Sequence, residues 1–165
     1  MPTSQIVRTL VIFGVTLAVL LGLYALAFQG GTTLLPVTSG TATVSAWVLK
    51  LLGQSVQIDG IVVRSDQFAY RVVEECTAIT PAIIYAAAVL AFPADWQSKA
   101  RGVALGVAAL FALNIVRIVS LYFIGVLAPD RVEFFHLFVW QLGLVLAALG
   151  LWIAWAGGLR ARQPA

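Results

Sequence analysis

Residues 10–28 read LVIFGVTLAVLLGLYALAF, an apolar stretch without a charged residue. A helix needs about 20 mostly apolar residues to cross the hydrocarbon core of a membrane. The stretch therefore predicts a transmembrane helix, with Arg8 before it and Gln29-Gly30-Gly31 after it. Ala25-Leu26-Ala27 resembles the cleavage site of a secretory signal. Because the apolar core of such a signal runs only about 7–15 residues, we favour an anchor that is retained.

The composition of the whole chain also indicates a membrane protein. Of its 165 residues, 61 % are hydrophobic and 10 % are charged, and the mean hydropathy is +0.99. Soluble domains are about half apolar and about a quarter charged, and a chain this short has too little interior to bury the excess. The composition predicts an all-α integral membrane protein with a single membrane domain over residues 1–165.

Charge and rare residues argue against several functions. The net charge is +3, but the basic residues are scattered, without the run or stripe expected of a nucleic-acid-binding surface. The chain has one cysteine and one histidine. It therefore cannot form an internal disulfide, and it has too few soft ligands for a metal site. We expect no cofactor and no nucleic-acid partner, and membrane lipids as the surroundings.

Three further apolar stretches predict three more spans, so that the expected fold is a bundle of four transmembrane helices. They run from about Thr77 to Phe92, from Gly102 to an end between Leu121 and Ala128, and from about Phe134 to Trp155. Lys and Arg near the span ends indicate the orientation. One side has Arg8, Lys99, Arg101, Arg160 and Arg162, and the other has Lys50, Arg64, Arg71 and Arg131. The first side is compact and almost free of acids, which predicts that it is cytoplasmic and contains both termini.

Residues 29–75 form the one long polar segment, predicted to be an extracytoplasmic insert between the first two spans. Its predicted elements are a loop over residues 30–43, a short amphipathic helix over 46–52, a β-hairpin over 56–63 and a third short strand over 68–73. Asp59-Gly60 predicts the tight turn of the hairpin, because glycine adopts positive φ at no steric cost.

Arg117 lies inside the predicted third span. Insertion scales put the cost of a charge at the centre of a membrane helix at about 2.5–3.5 kcal/mol, so such a residue faces the bundle or a wet cavity. Asn114 and Ser120, three residues to either side, adjoin the same helix face. The alternative is a structural arginine that extends to the membrane surface or binds carbonyls at a helix end.

Cys76, the only cysteine, lies where the insert meets the second span. A helix N-terminus favours the thiolate form of a cysteine, and Thr77 or Thr80 can cap that end. Glu74 and Glu75 oppose this effect, because nearby negative charge disfavours a thiolate. The alternative is that Cys76 is a small buried hydrophobic residue.

His136, the only histidine, begins the fourth span after the short loop at 129–134. Spans drawn from hydropathy and loop charge alone place Cys76, Arg117 and His136 in the outer half of three helices. A thiol nucleophile needs a base, which histidine supplies, although Glu133 stays open as another base. A fixed guanidinium stabilises the negative charge that acyl transfer creates on a carbonyl oxygen. The alternative for His136 is an interfacial side chain that binds a loop carbonyl.

The sequence resembles the exosortase/archaeosortase family of membrane transpeptidases, most closely the short exosortase H branch. The resemblance covers Val56 to about Trp155 and rests on the hairpin at Gly60, on Val73-Glu74-Glu75-Cys76-Thr77-Ala78, on Asn114-Ile115-Val116-Arg117-Ile118 and on His136. The catalytic Cys, Arg and His of the family resemble Cys76, Arg117 and His136 in chain order. Many members have Gly where this chain has Ala78. We take four neighbouring residues as supporting candidates, namely Glu75, Thr77, Asn114 and Ser120.

The resemblance implies a substrate class and a location. Family members process secreted proteins that have a C-terminal sorting tail with a short motif, one transmembrane helix and a basic end. They cleave near the motif and transfer the new C-terminus to a cell-envelope acceptor. Bacterial members lie in the inner membrane, and their active site faces the periplasm. The resemblance thus implies a multi-pass cysteine protease or transpeptidase.

Two other functions remain as alternatives. In the first, the protein is a non-enzymatic membrane scaffold or assembly factor, its outer segment binds a partner, and Cys76 is inert. The second is a transporter with Arg117 in its path, which fits less well because the chain has few ionisable residues within its spans and no evident inverted repeat.

Overall fold

The computed structural model describes residues 3–28 and 34–160. Its longer helices are α1 (Thr3–Phe28), α2 (Leu35–Leu51), α3 (Ile79–Ala91) and α4 (Trp96–Leu127), followed by the short α5 (Val132–Phe134) and by α6 (Trp140–Arg160). The strands are β1 (Gln57–Asp59), β2 (Val62–Arg64) and β3 (Ala69–Arg71). Short 3₁₀ turns cover Glu74–Cys76 and Pro129–Arg131, and a π-helical turn covers Phe135–Val139.

Helices α1, α3, α4 and α6 form the bundle. Helix α1 packs on α3, α3 packs on α4 and α6, and α4 packs on α6. Within the described parts of the chain, three helical segments are long and apolar enough to cross a membrane, namely Ser4–Ala27, Trp96–Leu127 and Pro129–Leu159. Helix α3 has 13 residues, about 20 Å of length, against a hydrocarbon core of about 30 Å. The count of four spans therefore stays a prediction.

The ends of α3 and α4 follow from the residues between them. Helix α3 ends at Ala91 because Phe92 precedes Pro93 and adopts the extended conformation that proline requires of its neighbour. Asp95 then caps α4, since its carboxylate accepts a hydrogen bond from the Ser98 N–H at 2.9 Å. Helix α4 consequently begins at Trp96, ahead of the predicted Gly102, and its end at Leu127 lies within the predicted interval.

Two glycines near the start of α4 allow close approach of its neighbours. A Cβ atom at Gly106 would collide with the ring of Tyr85 from α3, and one at Gly102 would collide with Trp155 from α6. The Tyr85 hydroxyl donates to the Gly102 carbonyl at 2.9 Å. These contacts hold α3, α4 and α6 together at the end of the bundle that contains Asp95.

The insert between α1 and α3 packs on the other end of α4. Its core comprises Ala42, Ala46, Leu49, Val56, Val63 and Val72, together with Val119 and Tyr122 of α4. The Tyr122 hydroxyl lies 3.2 Å from Gln54 Oε1 and 3.0 Å from Ser65 Oγ. The insert is therefore anchored on the half of α4 that contains Arg117.

The prediction of a loop over residues 30–43 is wrong where the structure describes it, because α2 begins at Leu35; residues 29–33 lie outside the described residues. Pro36 suits the first turn of a helix. The hydroxyls of Thr38, Ser39 and Thr43 donate to carbonyls four residues earlier, so these polar side chains are satisfied within the helix. The amphipathic helix predicted for 46–52 is only the second half of α2.

The predicted hairpin and third strand are present as an antiparallel sheet in the order β1-β2-β3. Asp59 pairs with Val62, so the two turn residues are Gly60 and Ile61. The predicted turn at Asp59-Gly60 is thus wrong by one residue. Gly60 has φ of 59°, and a hairpin turn with positive φ only at its first central residue is the type II′ geometry that favours glycine there.

Candidate active site

Cys76 is the last residue of the Glu74–Cys76 turn, between β3 and α3. Its N–H donates to the Val73 carbonyl at 3.0 Å. The Thr77 hydroxyl donates to the Glu74 carbonyl at 2.6 Å, so Thr77 closes this turn. The expectation that Thr77 or Thr80 caps α3 is wrong, since the capping position is Ala78 and no side chain caps it. Cys76 lies ahead of the helix, and the turn positions its sulfur.

His136 lies next to Cys76. The Cys76 Sγ and His136 Nε2 atoms are 3.8 Å apart, and both residues are half-buried. His136 lies in the π-helical turn Phe135–Val139. Single π-helical turns are rare and occur frequently at functional sites, where they displace side chains from the regular helical positions. The pair has the geometry of a thiol beside a base, at the length expected before a substrate is bound.

Arg117 is buried beside this pair, with 1 % of its surface exposed. Its Nη1 atom donates to the Glu75 carbonyl at 3.2 Å and to Asn114 Oδ1 at 3.4 Å. Its Nε atom is buried without a hydrogen-bond partner. Among residues 3–28 and 34–160, no carboxylate forms an ion pair with it. A buried charge without a countercharge is strongly unfavourable in free energy, so the site is suited to a ligand or intermediate that is negatively charged.

Asn114 connects α4 to the turn that contains Cys76. Its Nδ2 atom donates to the Cys76 carbonyl at 2.7 Å, and its Oδ1 atom accepts from Arg117. Asn114 and Arg117 together therefore bind two successive carbonyls of the turn, those of Glu75 and Cys76. This pairing of a side-chain amide with a backbone carbonyl was not foreseen from the sequence, which placed Asn114 only on the same face as Arg117.

The other candidates take smaller parts in the geometry. The Ser120 hydroxyl donates to the Arg117 carbonyl at 2.8 Å, so it bonds within its own helix. Glu75 is exposed and contributes its carbonyl, while its charge interacts with His136. Glu133 is exposed, and its carboxylate makes no hydrogen bond or ion pair with any residue that the structure describes.

Comparison with known protein families shows which family the chain belongs to. A family model described as transmembrane exosortase matches residues 6–156. The chain belongs to the transmembrane exosortase family. The membership predicted from the motifs is thereby confirmed, and this exosortase is a multi-pass membrane protein. No curated protein and no solved structure matches the chain significantly.

A cavity of about 160 Å³ adjoins Cys76 and His136 in this exosortase. Most of its lining is apolar, and it comes from β3 and its flanking residues, from the turn that contains Cys76, from α4, and from α5 and the π-helical turn. The lining residues are Phe68, Tyr70, Arg71, Val72, Cys76, Ile118, Leu121, Tyr122, Val132 and His136. The part contributed by β3 was not predicted from the sequence, where its only signal is the short predicted strand at 68–73.

Tyr70 is a polar residue of this lining, but it is not suited to be the base. Burial raises its pKa to about 12, partly offset by a hydrogen bond with Ser45. The Tyr70 hydroxyl lies 2.9 Å from Ser45 Oγ. It therefore stays a neutral phenol at ordinary pH, and His136 is the basic side chain that contacts the sulfur.

Proposed function

We propose that the protein is a membrane-embedded cysteine transpeptidase that cleaves the C-terminal sorting tail of secreted proteins and transfers them to a cell-envelope acceptor. The observation that supports this most is the buried Arg117 guanidinium without a countercharge, next to the contact between Cys76 and His136. Membership of the exosortase family agrees with a role in processing secreted proteins.

In the first half of the reaction, His136 takes the proton of the Cys76 thiol, and the sulfur forms a bond to the carbonyl carbon of the scissile peptide. Negative charge then develops on the carbonyl oxygen. The charge of Arg117, which interacts with both Cys76 and His136, stabilises that oxyanion. The carbon–nitrogen bond breaks, His136 returns its proton to the leaving amine, and a thioester remains on Cys76.

In the second half, an amine or hydroxyl of the acceptor, or water, attacks the thioester carbon. His136 takes the proton of the attacking group and delivers it to the departing sulfur, which restores the thiol. A thioester is more reactive towards such groups than the amide it replaced, because resonance stabilises it less. Asn114 holds the Cys76 carbonyl and so keeps the sulfur in place during both halves.

The proposal includes an orientation. We propose four spans in the bacterial inner membrane, with the insert, Cys76, Arg117 and His136 on the periplasmic side. Arg8, Lys99 and Arg101 then lie on the cytoplasmic side, as the distribution of positive charge favours. A secreted protein whose tail contains one transmembrane helix would present its cleavage site at the same depth as the cavity.

The direct test measures cleavage of a secreted protein that has a C-terminal sorting tail, in cells that express either the wild type or Cys76→Ala. The variant should accumulate the uncleaved protein on an immunoblot, because no other thiol is present in the chain. Ser39→Ala serves as the matched control, since the Ser39 hydroxyl is exposed and bonds only within α2. Cleavage by Cys76→Ala at the wild-type rate would reject the nucleophile and favour the scaffold alternative.

A further inference from the structure

Among residues 3–28 and 34–160, β3 pairs with β2 and with no other strand, so it is an edge strand. The Val72 N–H donates to the Ile61 carbonyl at 2.8 Å, so Val72 directs its backbone groups towards β2. Backbone groups alternate in direction along an antiparallel strand. Those of Ala69 and Arg71 therefore face the opposite, open edge.

The N–H groups of the open edge are free to bind a peptide. Within the part of the chain that the structure describes, the N–H groups of Ala69 and Arg71 have no hydrogen-bond partner. Both residues are exposed. An unpaired strand edge is a template for another extended chain, and domains that bind peptides use it to gain main-chain hydrogen bonds.

This edge leads directly to the nucleophile. The Cys76 Sγ atom lies 4.0 Å from the carbonyl oxygen of Arg71, on the side away from β2. The cavity of about 160 Å³ lies between β3, α4 and His136. A peptide that follows the edge therefore passes the sulfur and the imidazole within the space that the cavity provides.

We infer that the substrate binds as an extended strand along the open edge of β3, with main-chain hydrogen bonds to Ala69 and Arg71, and places one apolar side chain in the cavity. The inference rests on the proposed function, because it supplies the peptide that Cys76 attacks. The edge presents carbonyl and N–H groups at a fixed spacing and thus sets the register of the scissile bond relative to the sulfur.

The alternation of side chains along a strand gives the specificity. Ala69 and Arg71 expose their side chains, whereas Phe68, Tyr70 and Val72 face the cavity and the core. A substrate residue opposite Arg71 points to solvent and tolerates any side chain. The residues to either side of it point inward, and one of them places its side chain in the cavity, whose apolar lining favours an apolar side chain.

The first experiment uses the full-length wild type in nanodiscs and two thiol reagents. Acetyl-tetraalanine chloromethyl ketone reports peptide binding, and iodoacetamide reports the intrinsic reactivity of the sulfur. In the peptide reaction the Cys76 sulfur displaces chloride, a thioether forms, and His136 takes the thiol proton. N-methylation of the reagent at successive residues should slow labelling at alternate positions, by about two- to tenfold for each lost hydrogen bond. A uniform effect along the peptide would reject strand addition.

The second experiment changes the edge itself. Arg71→Pro removes the outward N–H and leaves the ladder to β2 intact, and proline is tolerated on edge strands. Arg71→Ala is the reference, because it loses the same side chain and keeps the N–H. With each rate divided by the iodoacetamide rate of the same variant, labelling by the peptide reagent should be about two- to tenfold slower in Arg71→Pro than in Arg71→Ala. Equal peptide rates in the two variants would overturn the inference.

The two proposals fail in different ways. If Cys76 is not a reactive nucleophile, iodoacetamide labels the wild type no faster than it labels an ordinary exposed thiol, and His136→Gln leaves that rate unchanged. If only the edge is wrong, iodoacetamide labels rapidly, but the N-methyl scan shows no alternation. The readings thus separate an inert sulfur from a sulfur whose substrate binds elsewhere.

Discussion

The two halves of α4 pack in opposite ways although they belong to one continuous helix. Near Asp95, Gly102 and Gly106 leave room for the rings of Trp155 and Tyr85, and the contact is close and largely apolar. Near the insert, Arg117 is buried with one guanidinium nitrogen unpartnered. The first arrangement stabilises the bundle, whereas the second leaves a polar group unsatisfied, which is a common feature of functional sites.

Arg117→Met should have the largest effect, and it tests whether this half of α4 serves catalysis more than stability. Removal of a single oxyanion-stabilising group typically lowers the rate by about 10²–10³-fold, and we expect that loss in tail processing. Thermal stability should change little, because removal of an unpaired buried charge is favourable and offsets the loss of the hydrogen bond to the Glu75 carbonyl. Parallel measurements of processing rate and Tm in detergent check both parts. A large drop in Tm with unchanged processing would make Arg117 structural.

Gly106→Ala should have the converse effect. The new methyl group meets the ring of Tyr85, and overpacking of a core typically costs about 1–3 kcal/mol. Thermal or denaturant unfolding should show this loss, while iodoacetamide labelling of Cys76 in the folded protein stays at the wild-type rate. In a Tyr85→Leu background the same substitution should destabilise less, since the obstructing ring is gone. Equal losses in the two backgrounds would contradict the close contact.

Asn114→Ala tests the half of α4 that packs on the insert, by comparison with Ser120→Ala on the same helix. It removes the hydrogen bond from Asn114 to the part-buried Cys76 carbonyl, which costs about 1–3 kcal/mol, and it frees the turn that positions the sulfur. We expect slower labelling by iodoacetamide and a lower Tm. Ser120→Ala is the matched control on the same helix, because its hydroxyl bonds only the Arg117 carbonyl. If iodoacetamide labels both variants at the same rate, the hydrogen bond from Asn114 to the Cys76 carbonyl has no effect on the reactivity of the sulfur.

Different parts of the molecule were predictable to different degrees, and the reason is physical. Long apolar segments such as residues 10–28 can be predicted as transmembrane or buried helices from the sequence alone, since only lipid or a protein core accommodates them. Arg117 is conspicuous for the same reason, because a charge in such a segment needs an explanation. By contrast, the helical start of α2 contradicts its local composition, since packing on α4 outweighs a weak intrinsic propensity.

In the candidate site, too, some features could be predicted from the sequence and others could not. Cys76 and His136 could be named from rarity and order in the chain, but the π-helical turn that directs His136 to the sulfur has no sequence signature. The contact of Asn114 with the Cys76 carbonyl depends on how α4 meets the turn, which is a tertiary event. The open edge at Arg71 depends on the strand order, and three-residue strands give too short a pattern to predict it.

Asp95 gives the smallest predicted effect, at the end of α4 away from the site. The Ser98 hydroxyl and then the Ser98 N–H lower the pKa of Asp95 below its ordinary value. A carboxyl whose folded pKa is depressed contributes stability above its unfolded pKa, and that contribution is lost as pH falls through the folded pKa. The difference in Tm between wild type and Asp95→Asn should therefore shrink as the pH is lowered from 7 to below about 4. Asparagine keeps the cap, so a constant difference over this range would mean that the charge of Asp95 contributes nothing.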